Sequence, residues 1–324
     1  MALTVEVGVA ELAATRFAIS PMSETVACLQ QLSGRDRNPT NLRWLRWAQD
    51  ALAIESLDLS HTWPLIATRP NWPEFLVPAP RGAGASITED LDALRKTTAG
   101  QVRSSLARVF GTDLPPAATV LADRPAAGLR AIASELRTAY DRLVAPHWPR
   151  IRSVLDADVM YRGRQLALGG ARTLFADLHQ DLRWQEGRLT LTGEHWQTDR
   201  VVSRGPGGLV LMPVVLGSPH VLIKKRTSTQ TTVRYPARGS GTLWTADARR
   251  PAGSTVRLLG RVRAEILQAL RSPSTTTDLA RGLNVTPSAI SQHLRILRDS
   301  GLVVRERSGR HVLYMTTELG VRLL

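Results

Sequence analysis

The chain has one cysteine in 324 residues, Cys28, so a disulfide framework within it is excluded and a reducing compartment fits. Set in ETVACLQQL, Cys28 reads as a small buried hydrophobe rather than a redox switch. No run approaches about 18 continuous apolar residues, so no membrane span is expected. The N-terminus lacks a basic stretch followed by an apolar run; no secretory signal is expected, and the cytoplasm is the expected location. CxxC, HExxH and paired histidines at helical spacing are missing, and His179, His195 and His220 are scattered, so no metal site is expected. Gly-x-Ser-x-Gly is missing too, and Cys28 has no evident His partner. Arg204–Gly208 (RGPGG) lacks the following helix and the Lys-Ser/Thr of a phosphate-cradling loop; it reads as a hairpin turn. Asp156 and Asp158 lie close to Tyr161 and Arg162 on a predicted helix, where an Asp158–Arg162 ion pair at i,i+4 is the expected use. No catalytic residue and no cofactor is expected.

Lysine is also scarce, at Lys96, Lys224 and Lys225 alone, yet 42 Lys and Arg against 28 Asp and Glu leave a formal charge of +14. That excess points to a polyanionic partner. It is concentrated towards the end: from Val256 onward 11 basic residues face 5 acidic ones. Phenylalanine is outnumbered by tryptophan, four to eight. Buried Trp anchors are the expected reading; the alternative is that several line a pocket for an apolar or aromatic effector.

Along the chain, Leu3–Val9 alternates like a strand, and Arg16–Ser20 is a second apolar run closed by Pro21. Ser23 is expected to cap a helix through Leu32, and Thr40 the next one, with Leu42, Trp44, Leu45 and Ala48 on its buried face. Proline density makes 57–80 irregular, pinned by Trp63, Trp72 and Phe75. Helices follow over 87–97, 101–110 and 125–144, and a long one from Ile151 is interrupted near Gly169–Gly170. From Trp184 the apolar period changes to two, with strands expected at 188–192, 199–203, 209–212, 221–224 and 231–235. Helices followed by strands argue an α+β fold: a large N-terminal helical block plus a mostly antiparallel sheet. Residues 1–245 form the expected first domain, 246–255 a linker rich in Ala, Arg, Gly and Pro, and 256–324 the second domain.

The second domain holds the clearest pattern. Thr275 and Asp278 have capping-box spacing before the apolar Leu279, Ala280 and Leu283. Thr286-Pro287 is an N-cap followed by a proline suited to the first helical position, and Gly301 stands where a helix ends. At roughly 100° per residue, Ile290, Leu294 and Leu297 share one side of the intervening helix. Ser288, Gln292, Arg295 and Asp299 fall opposite, with Ser291 on the flank. Hydroxyl, amide and guanidinium groups on one helical face suit base edges and phosphates of a major groove. His293 falls beside the apolar stripe and reads as a packing residue. Two β-rich runs, Leu302–Arg307 and Arg310–Tyr314, flank a Ser308-Gly309 link and read as a hairpin with Arg307 and Arg310 at its tip.

TPSAISQHLRILRDSG, Thr286 to Gly301, followed by LVVRERSGRHVLYMTT closely resembles the ArsR-type winged-helix repressors. The resemblance covers about Val256 to Leu324, a fifth of the chain. It implies double-stranded DNA as partner, with Ser288, Ser291, Gln292 and Arg295 facing DNA and Arg307 and Arg310 on the wing; Thr286 and Arg305 are expected to join them. Metal-sensing members carry Cys or His clusters, and none is visible here. Many members dimerise through a long terminal helix, whereas this sequence continues only through Glu318–Leu324 after the wing. A homodimer is still expected, through the N-terminal domain or a helix over Leu258–Leu270, whose stripe Leu259, Val262, Ile266 and Leu270 fits the domain core better. Upstream, FAISPMSETVACLQQL, NWPEFLVPAP, VAPHWPRIRSVLDADVMYRGRQLALGG, GGLVLMPV and VRYPARG resemble a large N-terminal domain fused to such winged helices in actinobacterial regulators. That resemblance implies a sensory or assembly role and assigns no effector. The expected function is sequence-specific transcriptional regulation, with repression expected from the resemblance; the competing expectation is an N-terminal enzyme with the winged helix as its nucleic-acid recruiter.

Overall fold

In a computed structural model of the chain, all residues are described except 1, 36, 69–70, 81–83, 85, 193–199, 203–207, 228–229, 245–250, 252, 271–273, 284 and 309–310. The side chains of 200–202, 225–227, 242, 281–282, 306–308, 311 and 313 are likewise outside the description. The helices are α1 (Val9–Ala13), α2 (Pro21–Leu32), α3 (Leu42–Ile54), α4 (Trp63–Ala67), α5 (Ile87–Arg95), α6 (Ala99–Phe110), α7 (Pro116–Asp123), α8 (Pro125–Ala139), α9 (Trp148–Ala176), α10 (Gly253–Leu259), α11 (Arg261–Ala269), α12 (Thr276–Leu283), α13 (Pro287–Asp299) and α14 (Glu318–Arg322). The strands are β1 (Ala2–Glu6), β2 (Arg16–Phe17), β3 (Leu182–Gln185), β4 (Arg188–Thr192), β5 (Arg200–Val202), β6 (Leu209–Val214), β7 (Leu222–Thr227), β8 (Gln230–Pro236), β9 (Val303–Ser308) and β10 (His311–Thr316). The fold is α+β, as the order of helical and two-residue periods requires.

The chain forms two compact units. One comprises residues 1–37 and 52–238; the other comprises 38–51 and 239–324. Residues 38–51 join the second unit partly through Asn41 and Arg43. Trp244 Nε1 donates to Asn41 Oδ1 at 3.1 Å, and Arg43 Nη1 donates to the Trp244 carbonyl at 2.8 Å.

The first unit holds two four-stranded sheets. In one, β1 lies between β4 and β5, antiparallel to the former and parallel to the latter, with β3 outside β4. In the other the order is β2-β6-β8-β7; β2, β6 and β8 run parallel and β7 is antiparallel to β8. Alternation along these strands sends Leu209, Leu211, Ile223, Val233 and Tyr235 to one face. There they join Leu3, Val5, Leu174, Phe175, Leu189 and Leu191 in a single apolar core.

Helix starts are set by capping chemistry. α2 begins at Pro21, not after Ser23: Ser20 is the N-cap, its Oγ accepting the Ser23 amide at 2.9 Å, because proline suits the first helical position. Likewise Thr40 does not cap α3. Asn38 accepts the Thr40 amide and opens a 3-10 turn, Pro39–Asn41, ahead of the helix. The interruption expected in the long helix falls at Gly170, whose φ of 64° leaves α9 kinked.

The Asp158–Arg162 pair forms, with Arg162 Nε 3.5 Å from Asp158 Oδ1, both buried. Tyr235 donates to Asp158 Oδ2 at 2.7 Å and the Arg238 amide to Oδ1 at 2.9 Å, so this carboxylate is fully engaged in structure. Trp44, Trp72 and Trp244 are buried, and Trp184 stacks on Phe175 at 5.0 Å; Trp63 is 36% exposed, and Trp196 lies outside the described residues.

Asp90 on α5 is buried against α2; its Oδ2 accepts from Ser20 Oγ at 2.7 Å and the Met22 amide at 3.2 Å. Burial pushes its carboxyl up to about 6 from the usual 3.8. The protonated form is therefore favoured in the folded chain, and Asp90 adds stability below pH 4 that is lost as pH rises through 6. The Asp90→Asn variant should gain stability relative to the parent between pH 4 and 7, read as a difference in urea midpoints. A difference that does not change with pH would show that Asp90 does not titrate in this range.

Candidate nucleic-acid interface

The C-terminal core is built from Ile266, Leu267, Leu270, Leu279, Ala280, Ile290, Leu294, Leu297, Leu302 and Val303. The stripe assigned to a helix over Leu258–Leu270 sits in or against this core: Ile266 and Leu270 are buried, and Leu259 and Val262 pack on it. That helix is not continuous. Gly260, with φ 79°, separates α10 from α11, a backbone turn that a side chain would resist. α10 starts at Gly253, within the stretch expected as linker, most of which lies outside the described residues.

α12 is capped as its sequence indicates: the Asp278 amide donates to Thr275 Oγ1 at 3.2 Å, and Thr275 Oγ1 donates to Asp278 Oδ2 at 2.7 Å. Asn284, in the turn, lies outside the described residues. α13 opens on Thr286, whose Oγ1 accepts the Ala289 amide at 3.3 Å, with Pro287 at the first helical position. It closes at Gly301, where φ is 70°.

Ile290, Leu294 and Leu297 are at most 1% exposed, and they hold the opposite face outward. Ser288, Ser291, Gln292 and Arg295 are all exposed on that side of the helix, and Thr286, the N-cap, is exposed at its start. The Ser291 hydroxyl donates to the Pro287 carbonyl at 2.9 Å, which leaves its oxygen lone pairs to accept. His293 is half-buried with Nδ1 enclosed, in keeping with a packing role. Arg298, which the helical projection passed over, is also exposed; its Nη2 pairs with Asp299 Oδ1 at 2.9 Å. Its position on the flank, 280° round from Ser288 at roughly 100° per residue, was the available signal.

β9 and β10 form an antiparallel hairpin in which Arg305 stands opposite Tyr314, Arg307 opposite Val312 and Ser308 opposite His311. Ser308, expected in the link, is paired in the ladder, one residue further than the β-propensity of the run indicated; Gly309 lies outside the described residues. Arg305 is exposed. The Arg307 side chain and all of Arg310 lie outside the described residues. The hairpin is tied to the core at its base by Thr316, whose amide donates to the Leu270 carbonyl and whose Oγ1 donates to that of Leu267, both at 2.9 Å. Among the described residues no group of three or more His, Cys, Asp or Glu could hold a metal ion, and no helix is long and apolar enough to cross a membrane.

Residues 261–304 match the model of the bacterial regulatory protein arsR family, and residues 112–241 match a family of unknown function, DUF5937. The HTH-type transcriptional regulator NmtR of Mycobacterium tuberculosis is 47% identical over 53 residues, 16% of this chain and 44% of that protein. The HTH-type transcriptional repressor SmtB of the same organism is 45% identical over 51 residues, 16% of this chain and 38% of that protein. The chain thus spans less than half the length of these curated relatives. No solved structure matches it significantly. An α12–turn–α13 pair with its polar face outward, a hairpin behind it and these matches over the same residues agree: the chain carries a C-terminal helix-turn-helix domain of the arsR family, with a DUF5937 region before it.

Proposed function

We propose that the protein is a sequence-specific DNA-binding transcriptional regulator, acting as a repressor, that reads the major groove with α13. The observation that carries this reading is the exposed Ser288, Ser291, Gln292 and Arg295 face, held rigid by Ile290, Leu294 and Leu297. Arg forks onto guanine, Gln onto adenine, and Ser reaches either base edges or phosphate. Thr286 fixes the end of the helix that enters the groove. Arg305, Arg307 and Arg310 on the β9–β10 hairpin contact the backbone or a narrow minor groove, where negative potential is strongest. SmtB, named a repressor, is similar over this domain and supports the sign of regulation.

One reading helix covers a short half-site, so the protein acts as a homodimer on a pseudo-palindrome. In this reading residues 256–324 are the DNA-binding domain, 246–255 the linker, and 1–245 the sensory and assembly domain.

Genome-wide mapping of bound sites, followed by titration of the recovered duplex with the full chain, tests the proposal. Log affinity should fall linearly with log salt, because each neutralised phosphate releases counterions. An affinity for the recovered duplex no greater than for random duplex would overturn sequence-specific reading. A flat salt dependence would turn the winged helix into a protein-contact module.

A further inference from the structure

The β2-β6-β8-β7 sheet buries one face in the apolar core; its other face is cationic. Register sets Arg16 beside Val210, Val210 beside Thr232, and Thr232 beside Lys224, so Arg16 and Lys224 occupy one row across the four strands. Arg234, two residues beyond Thr232, shares their face by strand alternation. Arg234 is 4% exposed, whereas Arg16 and Lys224 keep partial access to solvent.

Trp72, 1% exposed, lies over this face. Lys224 Nζ sits 4.0 Å from its ring centroid and donates to its carbonyl at 3.0 Å; Arg234 Cζ is 4.9 Å from the same ring. Arg234 Nη2 donates to the Ser23 carbonyl at 3.1 Å, but its Nε and Nη1 have no hydrogen-bond partner. Trp72 Nε1, Ser23 Oγ and Arg16 Nη1 share that condition, although Arg16 Nη2 donates to the Pro80 carbonyl and to Gln230 Oε1. Buried donors are ordinarily satisfied, so the four unpartnered atoms of Arg234, Trp72 and Ser23 need a cause.

Glu24 acts on Arg234 and Glu74 on Lys224 through charge, but among the described residues neither carboxylate hydrogen-bonds the unpartnered atoms. Glu24 Oε1 and Oε2 accept the Val215 and Leu216 amides at 2.8 and 2.7 Å, and Glu74 pairs with Arg108 at 2.9 Å. The cost of this crowding shows at Lys224, whose ammonium is lowered to about 7 by burial and by the charge of Arg234.

We propose that this face, at Arg234 and Lys224 beside Trp72, is a binding site for a small molecule bearing an oxyanion, a carboxylate or a phosphate. Guanidinium and ammonium donors match such oxygens, and the π-face of Trp72 holds the two cations in place. Burial of Arg234 excludes nucleic-acid backbone as the occupant. The site goes beyond the DNA-binding reading and stands independently of it, since binding is measured without DNA.

Thermal unfolding of the full chain provides the test, at constant ionic strength in chloride, with sodium benzoate and inorganic phosphate as separate probes. The midpoint should rise saturably with one or both probes, benzoate marking a carboxylate site and phosphate a phosphate site. Arg234→Met should abolish the rise, and Lys224→Met should weaken the apparent affinity at least tenfold. The exposed Arg261→Met, in the other unit, should leave it unchanged. If Arg234→Met does not fold, Lys224→Met decides alone. No rise beyond chloride with either probe, or a rise undiminished in both variants, would overturn the proposal.

Discussion

The Arg295→Ala variant should lose about 1–3 kcal/mol of discrimination between the recovered operator and random duplex, if its guanidinium forks onto a base. Arg295 is exposed near the middle of α13, with Gln292 and Ser291 one turn before it, where a helix lying in the groove comes nearest the base edges. Its fold does not depend on the side chain: no hydrogen bond or ion pair is described for it, and Leu294 beside it supplies the packing. The readout is competition binding, operator against random duplex, at one fixed salt concentration. Equal weakening on both duplexes would reassign Arg295 to phosphate contact and shift base reading to Gln292 and Ser288.

Leu294→Ala should destabilise the C-terminal domain by about 2–5 kcal/mol, the range for removing a fully enclosed leucine side chain. Leu294 is 1% exposed and packs in a core that also holds Leu267, Leu279 and Leu302. Its neighbours are themselves enclosed, so relaxation closes the cavity only in part. Urea unfolding followed by far-ultraviolet circular dichroism reports the loss. DNA affinity should fall with the folded fraction, unlike Arg295→Ala, whose stability should stay near that of the parent. A loss below 1 kcal/mol would mean that α13 is held by its caps and hairpin rather than by this seam.

The domain that reads DNA in this proposal was legible because its signals are local. Thr275 with Asp278, Thr286 with Pro287, and Gly301 each act within four residues, and the apolar spacing of Ile290, Leu294 and Leu297 is a property of one helix. Two details within it were set by neighbours instead. The hairpin pairs through Ser308 and His311, because cross-strand register extended the ladder past a residue of low β-propensity. The helix expected over Leu258–Leu270 breaks at Gly260, where the backbone takes a positive φ between two short helices that both pack on the same core.

Farther upstream, period and punctuation located most helices and strands, but capping at α2 and α3 passed to Ser20 and Asn38, which stand just before a proline. The buried cationic face gave no sequence signal at all. Arg16, Lys224 and Arg234 look like ordinary polar positions of alternating strands, and Glu24 like a surface residue of an amphipathic helix.

By itself the sequence determined the α+β class, the capped helix pair and the side of α13 that faces outward, since each follows from backbone preferences and apolar spacing over a few residues. Only the tertiary structure decided that β1 lies between β4 and β5, that residues 38–51 join the C-terminal unit, and that three cations separated by up to 218 positions share one sheet face. Strand order and register are choices among pairings that local propensity leaves nearly equal, and burial of the shared core selects one of them.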